Sequence, residues 1–189
     1  MWADSLSSGL FGAIMTFRAD PNPYTFMTED DRNLLIVGIG DLKFSGEPGD
    51  VLVTYSLGSC IGVTLYDRVL RCGGMIHALL PWSRDSMGTV DNPMAYMDKA
   101  LEKLLSTLFG QGSRRSDIVA RVAGGAAMFE DRSNFRIGER NFTIARKILW
   151  KNSILISGED VGGTISRTLY LDIETGITYV RSEGAVREL

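Results

Sequence analysis

The chain has 189 residues, 44% hydrophobic and 23% charged, which suits one soluble globular domain with length enough for a hydrophobic core. A formal net charge of −3 argues against nucleic acid as the main partner, because phosphate binding needs a basic surface. Two cysteines, Cys60 and Cys72, make no disulfide framework, and no apolar run approaches the ~20 residues of a membrane span, so no stable membrane insertion is expected.

In chain order, residues 1–32 read as a poorly ordered extension, with Ser5, Ser7, Ser8 and Gly9, then Asp20-Pro21-Asn22-Pro23, then an acidic run at 29–31. The apolar patch at 10–15 has no Lys or Arg before it, unlike a secretory signal, and the expected location is cytoplasmic. From residue 34 the pattern becomes strand-rich. Residues 34–39, 51–55, 61–66 and 75–80 are short apolar or β-branched runs separated by Gly, Asp or Pro.

Asn92 then offers a helix N-cap with Pro93 at the first helical position. Met94, Met97, Leu101, Leu104, Leu105 and Leu108 recur at helical spacing up to Gly110. Arg114-Arg115, with Asp117 just after, reads as a solvated loop. Residues 118–122 form another strand, ending in Gly124-Gly125-Ala126. A second helix is expected over 139–151, where an acidic start and a basic end suit the helix dipole. A strand at 154–157 follows. Residues 165–173 and 177–181 then alternate around Glu174-Thr175-Gly176, the signature of a hairpin. The order predicts an α/β fold: a single layered domain over 33–189, with a mixed β-sheet, two main helices and a C-terminal β-hairpin.

Chemistry concentrates in Leu57-Gly58-Ser59-Cys60-Ile61-Gly62. A strand runs into a glycine turn, a cysteine sits at the turn, and a second strand leaves. Gly58 and Ser59 supply a sharp bend whose unpaired backbone N–H groups can polarise a carbonyl oxygen. Gly73-Gly74-Met75-Ile76-His77 is a second glycine turn entering an apolar run, and His77 is the only histidine. If the two strands are neighbours, imidazole reaches the thiol and the pair forms a thiolate–imidazolium nucleophile. Buried cysteines and histidines are also ordinary core residues, so the pairing depends on geometry. For a third group to orient the imidazole, Asp67, Asn92 and Thr54 all stay open.

Zinc fits poorly, since Cys60, Cys72 and His77 lack a tight Cys-x-x-Cys knuckle and a fourth ligand. Gly38-Ile39-Gly40 and Gly124-Gly125 match neither a dinucleotide fingerprint nor a P-loop, and Asp160-Val161-Gly162-Gly163 reads as a loop without a calcium ligand series. No metal and no organic cofactor is expected.

At these residues the chain resembles the CheD family of chemoreceptor glutamine deamidases of bacterial and archaeal chemotaxis. Residues 51–63, with Thr54, Gly58, Cys60 and Gly62, match the family's nucleophile motif, and residues 73–81, with His77 and Pro81, match its histidine motif. Gly124-Gly125-Ala126-Ala127-Met128-Phe129, Ile137-Gly138-Glu139-Arg140-Asn141 and Asp160-Val161-Gly162-Gly163 follow in family order, so the likeness covers about residues 35–183.

The resemblance implies a Cys–His–Thr triad with Cys60 as nucleophile, His77 as base and Thr54 as the orienting group. It implies conversion of glutamines on methyl-accepting chemoreceptor helices to glutamate, through a thioester and with release of ammonia. It also implies binding to a CheC-type phosphatase where the organism has one. Two rival classes share the residues: a thiol hydrolase or transferase with another substrate, and a non-catalytic regulatory binding module.

Overall fold

The computed structural model describes residues 32–85, 91–127 and 136–189. The extension before Arg32 lies outside the described residues, as do Met128 and Phe129. The strands are β1 Asn33–Ile36, β2 Asp41–Ser45, β3 Asp50–Leu57, β4 Ile61–Asp67, β5 Cys72–Ala78, β6 Ile118–Gly124, β7 Ile156–Val161, β8 Arg167–Asp172, β9 Thr178–Ser182 and β10 Ala185–Glu188. Among the described residues, two α-helices accompany them, α1 Met97–Gly110 and α2 Ile137–Lys151.

The strands form two five-stranded sheets, ordered β1-β3-β8-β9-β10 and β2-β5-β4-β6-β7. Each is mixed, with one parallel pair: β1 with β3 in the first, β6 with β7 in the second. The first sheet packs on one face of the second, through Leu52, Leu57, Leu169, Leu171 and Val180 against Tyr66, Met75 and Ala123. The helices cover the other face, where Leu101, Leu104, Leu108, Ala145 and Leu149 meet Ile61, Val63, Leu65, Ile76 and Val122. β4 and β5 are therefore buried along their whole length, and a strand covered on both sides reads as a continuous apolar run.

The α/β class, the two main helices and the antiparallel β8–β9 hairpin are as expected. Three details differ. β2 and β10 are additional edge strands; Asp41 and Lys43 in one, and Arg187 and Glu188 in the other, hid the apolar alternation. Asn92 does cap, accepting a bond from the Met94 N–H at 3.0 Å, but it caps a 3-10 turn at Pro93–Ala95, and α1 starts at Met97. β7 reaches Val161, so Asp160 and Val161 belong to a strand and only Gly162-Gly163 turns. No helix of the described residues is long and apolar enough to cross a membrane.

Candidate active site

The chain passes from one sheet to the other between β3 and β4, through Gly58-Ser59-Cys60. Just before the crossing β3 is irregular: its register against β8 shifts between Thr54 and Leu57, and Ser56 takes a left-handed conformation with φ of 58°. Such a bulge bends a strand locally and re-aims its side chains. Thr54, fully buried, points from the first sheet into the seam between the two. His77, near the end of β5, points into the same seam from the second sheet, and Thr54 Oγ1 lies 2.7 Å from its Nδ1.

The direction of that bond follows from a second one. Thr54 Oγ1 donates its only proton to the Val37 carbonyl at 2.7 Å, so toward His77 it can only accept. The imidazole therefore carries its proton on Nδ1, and Nε2 keeps a free lone pair. Nε2 is buried and has no hydrogen-bond partner among the described residues. The segment after β1 holds this arrangement from both sides: the Val37 N–H donates to Val53 O at 2.7 Å, and the Gly40 N–H donates to His77 O at 2.8 Å.

Cys60 reaches the same place by register. Gly62 pairs with His77 across the β4–β5 ladder, so Cys60, two residues earlier, is the diagonal neighbour of His77 on the inter-sheet face. Cys60 packs in the cluster that contains Met75, the residue two before His77 on that face. Its carbonyl is anchored, accepting from the Gly125 N–H at 2.8 Å. Gly124 has φ of 110°, and a Cβ there would sit 2.3 Å from the Cys60 carbonyl oxygen, so only glycine permits this approach.

The turn's backbone divides its work. The Gly58 N–H is taken up by Ser56 O at 2.9 Å, and the Gly58 carbonyl accepts from the Ala126 N–H at 2.8 Å. Gly58 thus builds the bend, whereas the N–H groups of Ser59 and Cys60 have no backbone partner among the described residues.

Burial sets the protonation states. It pushes the Cys60 thiol up, against an opposing pull from the residue's own backbone N–H. It also draws His77 down to about 4. Both shifts favour neutral forms, because each charge alone would be desolvated. Taken singly, each group is thus favoured as the neutral thiol or the neutral imidazole.

The other candidates for the third group are engaged elsewhere. Asp67 accepts the N–H groups of Val69 and Leu70 in the turn after β4. Asn92 donates to Gly40 O at 2.7 Å while it caps the 3-10 turn. Cys72 opens β5, and burial, then the charge of Asp67, push its thiol up. Val37 was missed, and Gly138 was noted only as part of a motif. A backbone carbonyl leaves no sequence signal, and Gly138 matters through close packing: a Cβ on it would lie 2.6 Å from Gly125 O.

The family model described as CheD chemotactic sensory transduction matches residues 79–182. "Probable chemoreceptor glutamine deamidase CheD 1" of Syntrophus aciditrophicus (strain SB) is 42% identical over 160 residues, covering 82% of this chain and 98% of its own. A relative with the same name, unnumbered, from Solibacter usitatus (strain Ellin6076) is 43% identical over 82% of this chain and 92% of its own. An archaeal relative, from Pyrococcus horikoshii (strain ATCC 700860 / DSM 12428 / JCM 9974 / NBRC 100139 / OT-3), is 42% identical over 80% of this chain and 95% of its own. Matched over more than half its length by the family model and over four fifths by relatives at 42% identity, the chain belongs to the CheD family.

Proposed function

We propose that this chain is a protein-glutamine deamidase, a cysteine-nucleophile amidohydrolase that converts glutamines on the cytoplasmic helices of chemoreceptors to glutamate. One observation carries the reading: the only histidine is held by Thr54, and its buried Nε2, without a partner among the described residues, lies on the face shared with Cys60. The names of the relatives, chemoreceptor glutamine deamidases, support the substrate.

In the proposed reaction, His77 Nε2 takes the proton from Cys60 Sγ as the sulfur attacks the glutamine side-chain carbonyl. The Nδ1–H of the resulting imidazolium rests on Thr54 Oγ1, which is itself tied to Val37. The N–H groups of Ser59 and Cys60 hold the oxyanion, with Gly58 shaping the bend. His77 returns its proton to the departing nitrogen, ammonia leaves, and a thioester joins Cys60 to the substrate. Water then attacks the thioester carbonyl while His77 takes its proton. The thioester breaks to give glutamate and restore the thiol. Side chains and water carry every step, so the reaction calls for no cofactor.

Residues 33–189 form the deamidase domain in this proposal, acting in the cytoplasm. A CheC-type phosphatase is a second partner where the organism has one. The test is mass spectrometry of a chemoreceptor cytoplasmic fragment incubated with the protein. Wild type should add roughly 1 Da per converted glutamine, as OH replaces NH2, and Cys60→Ala should add nothing. Free glutamine turning over as fast as the fragment would sink the receptor reading. Conversion by Cys60→Ala would sink the nucleophile.

A further inference from the structure

We propose that Asp160 and Arg167 form a positioning pair that aims the Ser59 N–H at the oxygen of the reacting carbonyl. The inference rests on the deamidase reading above and adds to it two residues outside the Cys–His–Thr set.

A trans peptide is planar, with its C=O and N–H on opposite sides, so whatever holds the Gly58 carbonyl also sets the direction of the Ser59 N–H. The Gly58 carbonyl accepts from the Ala126 N–H at 2.8 Å. The next residue, Ala127, donates its own N–H to Gly163 O at 2.8 Å, and the Gly162 N–H donates to Gly124 O at 2.9 Å. Residues 124–127 therefore lie between two turns, the one that carries Cys60 and the one that follows β7. In the second turn Gly162 and Gly163 are both left-handed, with φ of 78° and 67°. Two glycines in a row bring no side chains to fix such a turn, so its support comes from elsewhere.

Arg167 gives that support. It opens β8 on the first sheet, and its Nη2 donates to Asp160 Oδ1, on β7 of the second sheet, at 2.9 Å. Its Nη1 donates to Ile165 O, also at 2.9 Å. One planar group thus ties the residue that enters the loop to the residue that leaves it. Gly163 sits against that group, since a Cβ on it would meet Nη2 at 3.8 Å. The side chains of Arg167 and Asp160 are only 5% and 15% exposed, and Asp160 Oδ2 also accepts from Arg187 at 2.8 Å. Burying two charges gains little stability over an apolar pair, but the fork fixes geometry. Arg167 is also the ladder partner of Leu57, the last residue of β3 before the Cys60 turn. The turn is therefore held at its start through Leu57, and at its Gly58–Ser59 peptide through Gly163, Ala127 and Ala126.

The experiment uses the full chain and a chemoreceptor cytoplasmic fragment, with Arg167→Met, Arg167→Lys, Asp160→Asn and the double variant Asp160→Asn/Arg167→Met. Ammonia release gives kcat and KM, and the iodoacetamide rate at Cys60 is measured beside them. Alkylation displaces iodide from a saturated carbon and develops no oxyanion, so it reads the thiol and His77 without the N–H groups. Arg167→Met should lower kcat about 10–100-fold, while KM and the alkylation rate stay within about twofold. Arg167→Lys should fall between it and wild type, and the double variant should be no worse than Arg167→Met, because the two residues act as one unit. Asp160→Asn, which keeps the shape, carries the same test if Arg167→Met fails to fold. An unchanged kcat, an alkylation rate that falls in step with kcat, or losses that multiply in the double variant would each overturn this inference alone. A fragment that wild type does not convert overturns the deamidase reading and this inference with it.

Discussion

Thr54 and His77 stand on different sheets and meet at 2.7 Å in the seam between them. Thr54 has already given its proton to Val37 O, so this contact fixes which ring nitrogen of His77 holds the proton. A hydroxyl serves here without a negative charge, and burial draws His77 down to about 4, so the ring is neutral at pH 7.

Replacing Thr54 by valine keeps the shape and removes the hydroxyl. The Nδ1–H and the Val37 carbonyl then lose their partner in a buried place, which costs about 1–3 kcal/mol in stability. The expected kcat loss is about 10–100-fold, with Thr54→Ser recovering most of it, because the lone pair returns. Cys60→Ala should abolish turnover and His77→Gln should come close. Urea unfolding and steady-state ammonia release measure the series, and a fully active Thr54→Val would remove Thr54 from the mechanism.

His77 titrates near 6.5 when unfolded and at about 4 in the folded protein. Above 6.5 both states hold a neutral ring and it adds no pH dependence. Between 6.5 and 4 the unfolded chain binds a proton that the folded one does not, so stability falls as pH falls, by at most about 3 kcal/mol. His77→Gln should remove that share of the slope in denaturant titrations. The acid limb of kcat/KM should likewise fall well below 6.5, and a limb at 6.5 would mean the ring is solvated in the working enzyme.

The two thiols should part under iodoacetamide at pH 7. Burial pushes both up, but only Cys60 has a base on its face to accept the proton. Peptide mapping after a limiting dose should find Cys60 modified first, and His77→Gln should erase the preference. Preferential labelling of Cys72 would count against the pair.

Gly138→Ala tests the packing beneath Cys60. The new Cβ would sit 2.6 Å from Gly125 O, a contact with backbone on both sides, so α2 or the Gly124-Gly125 turn must move. Overpacking of this kind costs about 1–3 kcal/mol. Because the Gly125 N–H anchors the Cys60 carbonyl, kcat should drop more than KM changes. A variant with the wild-type melting temperature and kcat would show that the turn does not depend on this contact.

Local signals carried much of this. Apolar runs bounded by glycine marked β3, β4 and β5, leucines at helical spacing marked α1, and the glycine turns around Cys60 and the lone His77 picked out the candidate site. Each of these is written in neighbouring residues, which is why sequence could read them. Edge strands β2 and β10 escaped because strands at the rim keep charged side chains and lose the alternation. Thr54, Asp67 and Asn92 stay open on the residues alone, and only the family resemblance points to Thr54, for a different reason. All three are polar residues near the pair along the chain, and what separates them is that β3 and β5 lie in different sheets whose inner faces meet. The lowered pKa of His77, the Val37 acceptor and the Gly125–Gly138 contact likewise exist only once two sheets and a helix are packed, since burial and long-range backbone contacts belong to the assembled layers and to no segment alone.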